Sequence, residues 1–170
     1  HRLTNGDVEV VVSTEFGPRI LEYRRSGGEN VFGTVPDSQG VATPFGVWHS
    51  HGGHRLWHAP EERVRTYYPD DAPIAARGGT HDAVLTQPVE PHTLLEKEIA
   101  IQLAPSGTRV RVAHRIRNRG AFAVELALWA ISVMRPRGTA FFAQPRYVPH
   151  SEQLAPARPL VVWPFTKMND

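Results

Sequence analysis

The chain has 170 residues, 41% hydrophobic and 21% charged, which are the proportions of one globular domain and not of a disordered tail. Nineteen basic residues against seventeen acidic leave a net charge of +2, too weak a field to grip a nucleic acid even with a sequence pI near 9.3. The absence of cysteine excludes disulfide frameworks, thiolate nucleophiles and cysteine-ligated zinc.

The chain opens at His1 without an initiator Met or a charged-then-apolar leader, as expected of a processed or trimmed N-terminus. Fifteen prolines and fourteen glycines are scattered without a period, which favours many short strands over long helices. Residues 7–13 read DVEVVVS and residues 19–25 read RILEYRR. They predict two strands joined by a tight turn at Phe16-Gly17-Pro18. Residues 45–91 are rich in Gly, His, Pro, Tyr and Asp with little alternation, and read as long functional loops with short strands inside, one of them within residues 82–89.

After Pro91 the pattern sharpens. Leu95, Lys97, Ile99, Ile101 and Leu103 share one face of a strand, while Glu96, Glu98, Ala100 and Gln102 share the other. Past a Pro105-Ser106-Gly107-Thr108 turn, Val110, Val112, His114 and Ile116 face inward and Arg109, Arg111, Arg115 and Arg117 outward. That spacing reads as a solvated strand face and not as a nucleic-acid patch. Asn118-Arg119-Gly120 turns the chain into residues 122–134, apolar on both faces and expected to be a strand covered on both sides that completes a meander. The longest apolar stretch, residues 121–134, contains Glu125 and Ser132 and falls short of the ~20 residues that span a bilayer. Proline-spaced extended connections follow, with a last strand predicted at residues 160–163. The fold class is all-β, an antiparallel sandwich.

The densest chemical signal is His49-Ser-His51-Gly-Gly-His54-Arg-Leu-Trp-His58-Ala-Pro-Glu61-Glu62, four of the nine histidines within ten residues. As a metal site it would use His51, His54, His58 and Glu61, but neither His-Glu-x-x-His nor a cupin spacing is present, and no metal or other cofactor is assigned. As a sugar site it supplies hydrogen-bonding groups in His54, Arg55, His58 and Glu61, with Trp48, Trp57, Tyr67 and Tyr68 for the apolar face of a pyranose. Gly52-Gly53 would let backbone approach a ligand. Arg19, at the start of a strand, and the inward His114 are further candidates.

Taken together, NGDVEVVVSTEFGPRI, SGGENVFG, GGHRLWHAPE, YYPDDAPI, QPVE and VAHRIRNRGAFAVELALWAISVM resemble the galactose mutarotase-like (aldose 1-epimerase-like) superfamily, in a bacterial branch carrying GGHRLWHAPE. The resemblance implies a β-supersandwich that binds a sugar on a concave sheet face, with residues 1–170 as one sandwich domain, the N-terminal part of a longer family fold. In active epimerases a histidine protonates the ring oxygen and a glutamate takes the anomeric proton. The strand histidine of that pair would fall near Leu128-Trp129-Ala130, where none stands; an earlier His-Gly motif is replaced around Asp70 and Asp71. The base glutamate would come after Asp170. His54 or His58 as acid, with Glu61, Asp70 or Asp71 as base, are the available substitutes. The expectation is therefore a carbohydrate-binding or carbohydrate-processing domain whose ligand meets Arg19, Arg55, Trp57, Asp70, Asp71 and His114, with a small-molecule sugar as partner and neither nucleic acid nor membrane. A non-catalytic interaction module and a histidine-cluster metal enzyme are the alternatives, and nothing in the sequence fixes the compartment.

Overall fold

The computed structural model describes residues 1–35, 39–139, 141, 143 and 146–155. The chain divides into two compact units, His1–Pro136 and Arg137–Asp170, and among the described residues every strand lies in the first. These are β1 (Arg2–Thr4), β2 (Val8–Val12), β3 (Arg19–Arg25), β4 (Thr34–Val35), β5 (Val41–Thr43), β6 (Gly46–Trp48) and β7 (His51–Gly52). After them come β8 (His54–Ala59), β9 (Ala75–Gly78), β10 (Asp82–Thr86), β11 (Leu95–Leu103), β12 (Val110–Asn118) and β13 (Ala127–Ser132). No helix forms among the described residues, and none is long and apolar enough to cross a membrane.

All pairings are antiparallel. One sheet runs β1-β2-β3-β8-β13 and the other β12-β11-β10-β9, with two small ribbons, β4-β7 and β5-β6. The sheets close on one core. Leu3, Val8, Val10, Val12, Ile20 and Leu56 come from the first, and Ala83, Leu85, Ile99, Ile101 and Leu103 from the second. Val8, Val10 and Val12 are buried at every second position of β2, as period-2 patterning requires. Fully burying a side chain such as Leu85 or Ile99 contributes about 1.5–3 kcal/mol. On the outer side of β11 and β12, Arg117 and Arg119 pair with Glu96, and Arg115 and Arg117 pair with Glu98. The arginine run is thus one half of a cross-strand charge ladder.

Three expectations need correction. Residues 45–91 hold short strands between loops, as expected, but GGHRLWHAPE is not loop: it supplies β8, the strand between β3 and β13. Arg55, Leu56, Trp57 and His58 are all buried, so both faces of β8 are covered and no apolar-polar alternation marks it. The last apolar segment is also shorter than expected. Only Ala127–Ser132 is strand, and it pairs with β8 instead of β12, so the meander ends at β12. Its apolar faces are not both covered: β13 is an edge strand with Leu128 54% exposed. The strand expected at residues 160–163 lies outside the described residues.

Gly52 and Gly53 serve backbone packing. Both have positive φ, 75° and 69°, and a Cβ on Gly53 would sit 2.2 Å from the Ile20 carbonyl oxygen, as one on Gly52 would from that of Gly33. Gly53→Ala is therefore expected to cost about 2–4 kcal/mol in urea unfolding. A change below 0.5 kcal/mol, the ordinary range for a surface site, would mean that the close approach is not required.

Candidate functional site

Arg19 is completely buried at the first position of β3. Its Nη1 donates to the carbonyls of Ser50 (3.0 Å) and Gly52 (2.8 Å), and its Nη2 to Asp70 Oδ2 at 2.7 Å. One guanidinium thus ties the loop carrying His49 and His51 to the loop carrying Asp70 and Asp71. Arg55 stands directly opposite Arg19 in the β3-β8 register. Like charges in that position repel, and Asp70 supplies the compensating charge.

The Arg55 guanidinium lies 4.0 Å from the centre of the Trp57 ring and 4.9 Å from that of Trp48, a cation-π stack. Trp48, Trp57 and Tyr67 contact one another at 4.8–5.3 Å between ring centres, and Trp129 of β13 meets Trp57 edge-on at 5.6 Å. Tyr67 donates its phenolic hydrogen to Glu61. Burial first, then that hydrogen bond, raises the Tyr67 pKa. Arg55 Nε and Nη1 are buried without a hydrogen-bond partner, as are Trp48 Nε1 and Asp70 Oδ1. Burial, then Arg19, pushes Arg55 down to about 10, against the pull of Asp70, Tyr67 and Glu61. A cleft of about 360 Å³ between β5 and the turn at Arg63 and Val64 reaches Tyr67.

The other side of β8 carries His54 and His58. His54 Nε2 meets His114 Nε2 of β12 at 2.7 Å and its Nδ1 meets Ser132 Oγ of β13 at 2.8 Å; the tautomer decides which imidazole donates to the other. His58 is fully buried with both ring nitrogens unpartnered. Near it lies a buried ion pair, Lys97 Nζ to Glu90 Oε1 at 2.5 Å, in which Glu90 also accepts from Gln87 and Thr93. Burial, then His114 and Arg19, pushes His54 down to about 4. Burial, then Lys97, does the same to His58, against Glu90 and with a smaller push from Arg65. His114 is lowered by burial.

The loop residues read from sequence as one site are therefore divided by a strand. Arg19, Arg55, Trp57, Glu61 and Asp70 gather on the outer side, whereas His54, His58 and His114 lie on the core side. Alternation along β8 makes this unavoidable, and it corrects the acid-base pairing of His54 or His58 with Glu61, Asp70 or Asp71 across one sugar. The metal set of His51, His54, His58 and Glu61 is corrected for the same reason. Asp71 instead meets His49 and His51, through Oδ2 to Nδ1 at 3.0 Å and Oδ1 to Nε2 at 2.8 Å. Sequence reasoning missed Ser132, Glu90, the buried role of Lys97 and the position of His49 beside Asp71, because only long-range pairing brings them into place.

No family model, curated protein or solved structure matches this chain.

His54 and His58 should make the fold acid-sensitive. Their pKa values fall from 6.5 to about 4 on folding, so the unfolded chain takes up protons first as pH drops. The stability they confer is complete above about pH 6.5 and is lost as pH falls toward about 4. For fully buried His58 the loss is on the order of 2–3 kcal/mol. Urea unfolding at pH 7.5 and 4.5 checks this: His58→Leu should gain about 1 kcal/mol at pH 7.5 by removing an unpaired buried polar group, and should flatten the pH dependence. An unchanged pH slope would contradict it.

Proposed function

We propose that the protein binds a carbohydrate on the outer side of the five-stranded sheet, with Arg55 as the anchoring donor. The observation that carries this reading is the Arg55 guanidinium, buried and stacked on Trp57 while its Nε and Nη1 have no partner. A buried donor without an acceptor costs about 1–3 kcal/mol, which a ligand oxygen would recover. Trp48 Nε1 and Asp70 Oδ1 add a second donor and an acceptor, the mixed set that adjacent hydroxyls call for. The Glu61–Tyr67 pair and the half-buried Trp129 ring supply a carboxylate and an apolar surface. The resemblance of GGHRLWHAPE to the mutarotase-like superfamily points the same way, since its arginine and tryptophan are Arg55 and Trp57.

A structural or interaction module is the second reading, favoured by the burial of Trp48 at 7% and Trp57 at 5% exposure. Arg55→Met separates the two, because it keeps much of the apolar stem and removes the donors. Saturation-transfer NMR and calorimetry with neutral aldoses and uronic acids should find a ligand for the native chain. Its affinity should fall at least about tenfold in Arg55→Met, the loss of one charged hydrogen bond. If no sugar binds the native chain, the carbohydrate reading fails and the module reading stands; if one binds the variant equally well, Arg55 is not its anchor and the proposed site is wrong.

A further inference from the structure

We propose that His49, His51 and Asp71 form a binding site for a divalent first-row transition ion of the zinc class. His51 opens β7, His49 stands just before it, and Asp71 comes from the segment between β8 and β9, so the three meet only in the folded chain. One ligating atom from each lies within 4.8 Å of the others, and among the described residues this is the group of histidine and acidic side chains that meets that condition. Each Asp71 oxygen already lies 2.8–3.0 Å from an imidazole nitrogen. Tetrahedral zinc, with bonds of about 2.0–2.1 Å, requires ligand atoms roughly 3.3–3.4 Å apart. The present contacts are hydrogen bonds, one to each carboxylate oxygen, so on taking up an ion each ring would draw back from Asp71 by a few tenths of an ångström and the two rings would close on one another from within the 4.8 Å that the three ligating atoms now span. Side-chain exposures of 34% for His49, 23% for His51 and 38% for Asp71 leave the rings room to turn and an ion a way in.

Two nitrogens and a carboxylate oxygen match the borderline character of zinc, and three protein ligands leave a position open for water or for a donor atom of a bound molecule. The surroundings hold the set in place. His51 adopts a left-handed backbone, φ 49°, unusual for a residue with a side chain, and its ring stacks on Phe16 at 4.2 Å with planes 20° apart. The carbonyls on either side of His51, those of Ser50 and Gly52, are both held by Arg19. The nearby cation that would repel a metal is itself neutralised, because Arg19 Nη2 pairs with Asp70 at 2.7 Å. This site stands apart from the carbohydrate reading, since neither His49 nor His51 is needed for the Arg55 anchor.

The test uses the full chain, stripped with chelator and titrated with Zn(II) by calorimetry against a competing chelator. Co(II) is added separately to read the ligand field by d–d absorption. The site should take one equivalent with Kd at or below about 10 μM. His49→Ala, His51→Ala and Asp71→Asn should each weaken binding by more than about 100-fold, exceeding the loss from removing an outer-shell partner. His81→Ala, an exposed histidine elsewhere, should leave it unchanged. Circular dichroism checks each variant for folding, and His49→Gln replaces any alanine variant that fails. No saturable binding up to millimolar Zn(II), or binding that survives both His49→Ala and Asp71→Asn, overturns the proposal.

Discussion

The buried Arg19 guanidinium is the contact on which the outer side of this sandwich depends. It sits at 0% exposure where β3 begins, and its hydrogen bonds reach Ser50, Gly52 and Asp70. A charge so placed is costly to bury unless it is paired and its donors are used. Here both terminal nitrogens have partners while Nε has none, and those partners belong to two different segments, residues 50–52 and Asp70. Removing one member of a buried pair generally costs about 3–5 kcal/mol. At Arg19 that cost would fall on the loops, because the sandwich core is assembled from other residues. The same contact permits Arg55 to stand opposite Arg19, a placement that violates the usual rule against like charges across strands.

Such violations tend to collect where a protein acts. Arg55 carries unpartnered donors over a tryptophan, and Trp48 and Asp70 carry unpartnered atoms beside it. The core side of β8 breaks a different rule, burying His58 with neither ring nitrogen partnered although the Lys97–Glu90 ion pair lies near it. The two sides then call for different explanations. Unpartnered donors and an acceptor on the outer side fit a ligand that supplies the missing oxygens, whereas the His54–His114–Ser132 chain satisfies itself and pins β8 to β12 and β13.

Much of the scaffold was legible because its strands have one wet face. The valines of β2 and the alternation of β11 and β12 repeat at period 2, and the arginines of β12 fall on the outer face as the pattern requires. β8 was not legible as a strand, since burial on both faces erases the alternation and its inward positions hold two histidines. β13 misled in the opposite sense, because apolar residues on both faces usually signal burial and this strand lies at an edge. For the site, the residue types were legible and the grouping was not. His54 and His114 are sixty positions apart and touch, whereas His54 and Arg55 are adjacent and face opposite ways.

The account makes Arg19 a local organiser: without it the loops of His49 to Gly53 and of Asp70 and Asp71 should come loose while the core stays closed. Amide hydrogen exchange on Arg19→Lys tests this most directly, because a single ammonium cannot hold Ser50, Gly52 and Asp70 together in the fork geometry of a guanidinium. The expected result is a joint loss of protection in those two loops, with the amides of Val10, Leu85, Ile99 and Ile101 as slow as in the native chain. Unchanged protection in both loops, or an equal loss across the whole sandwich, would contradict it.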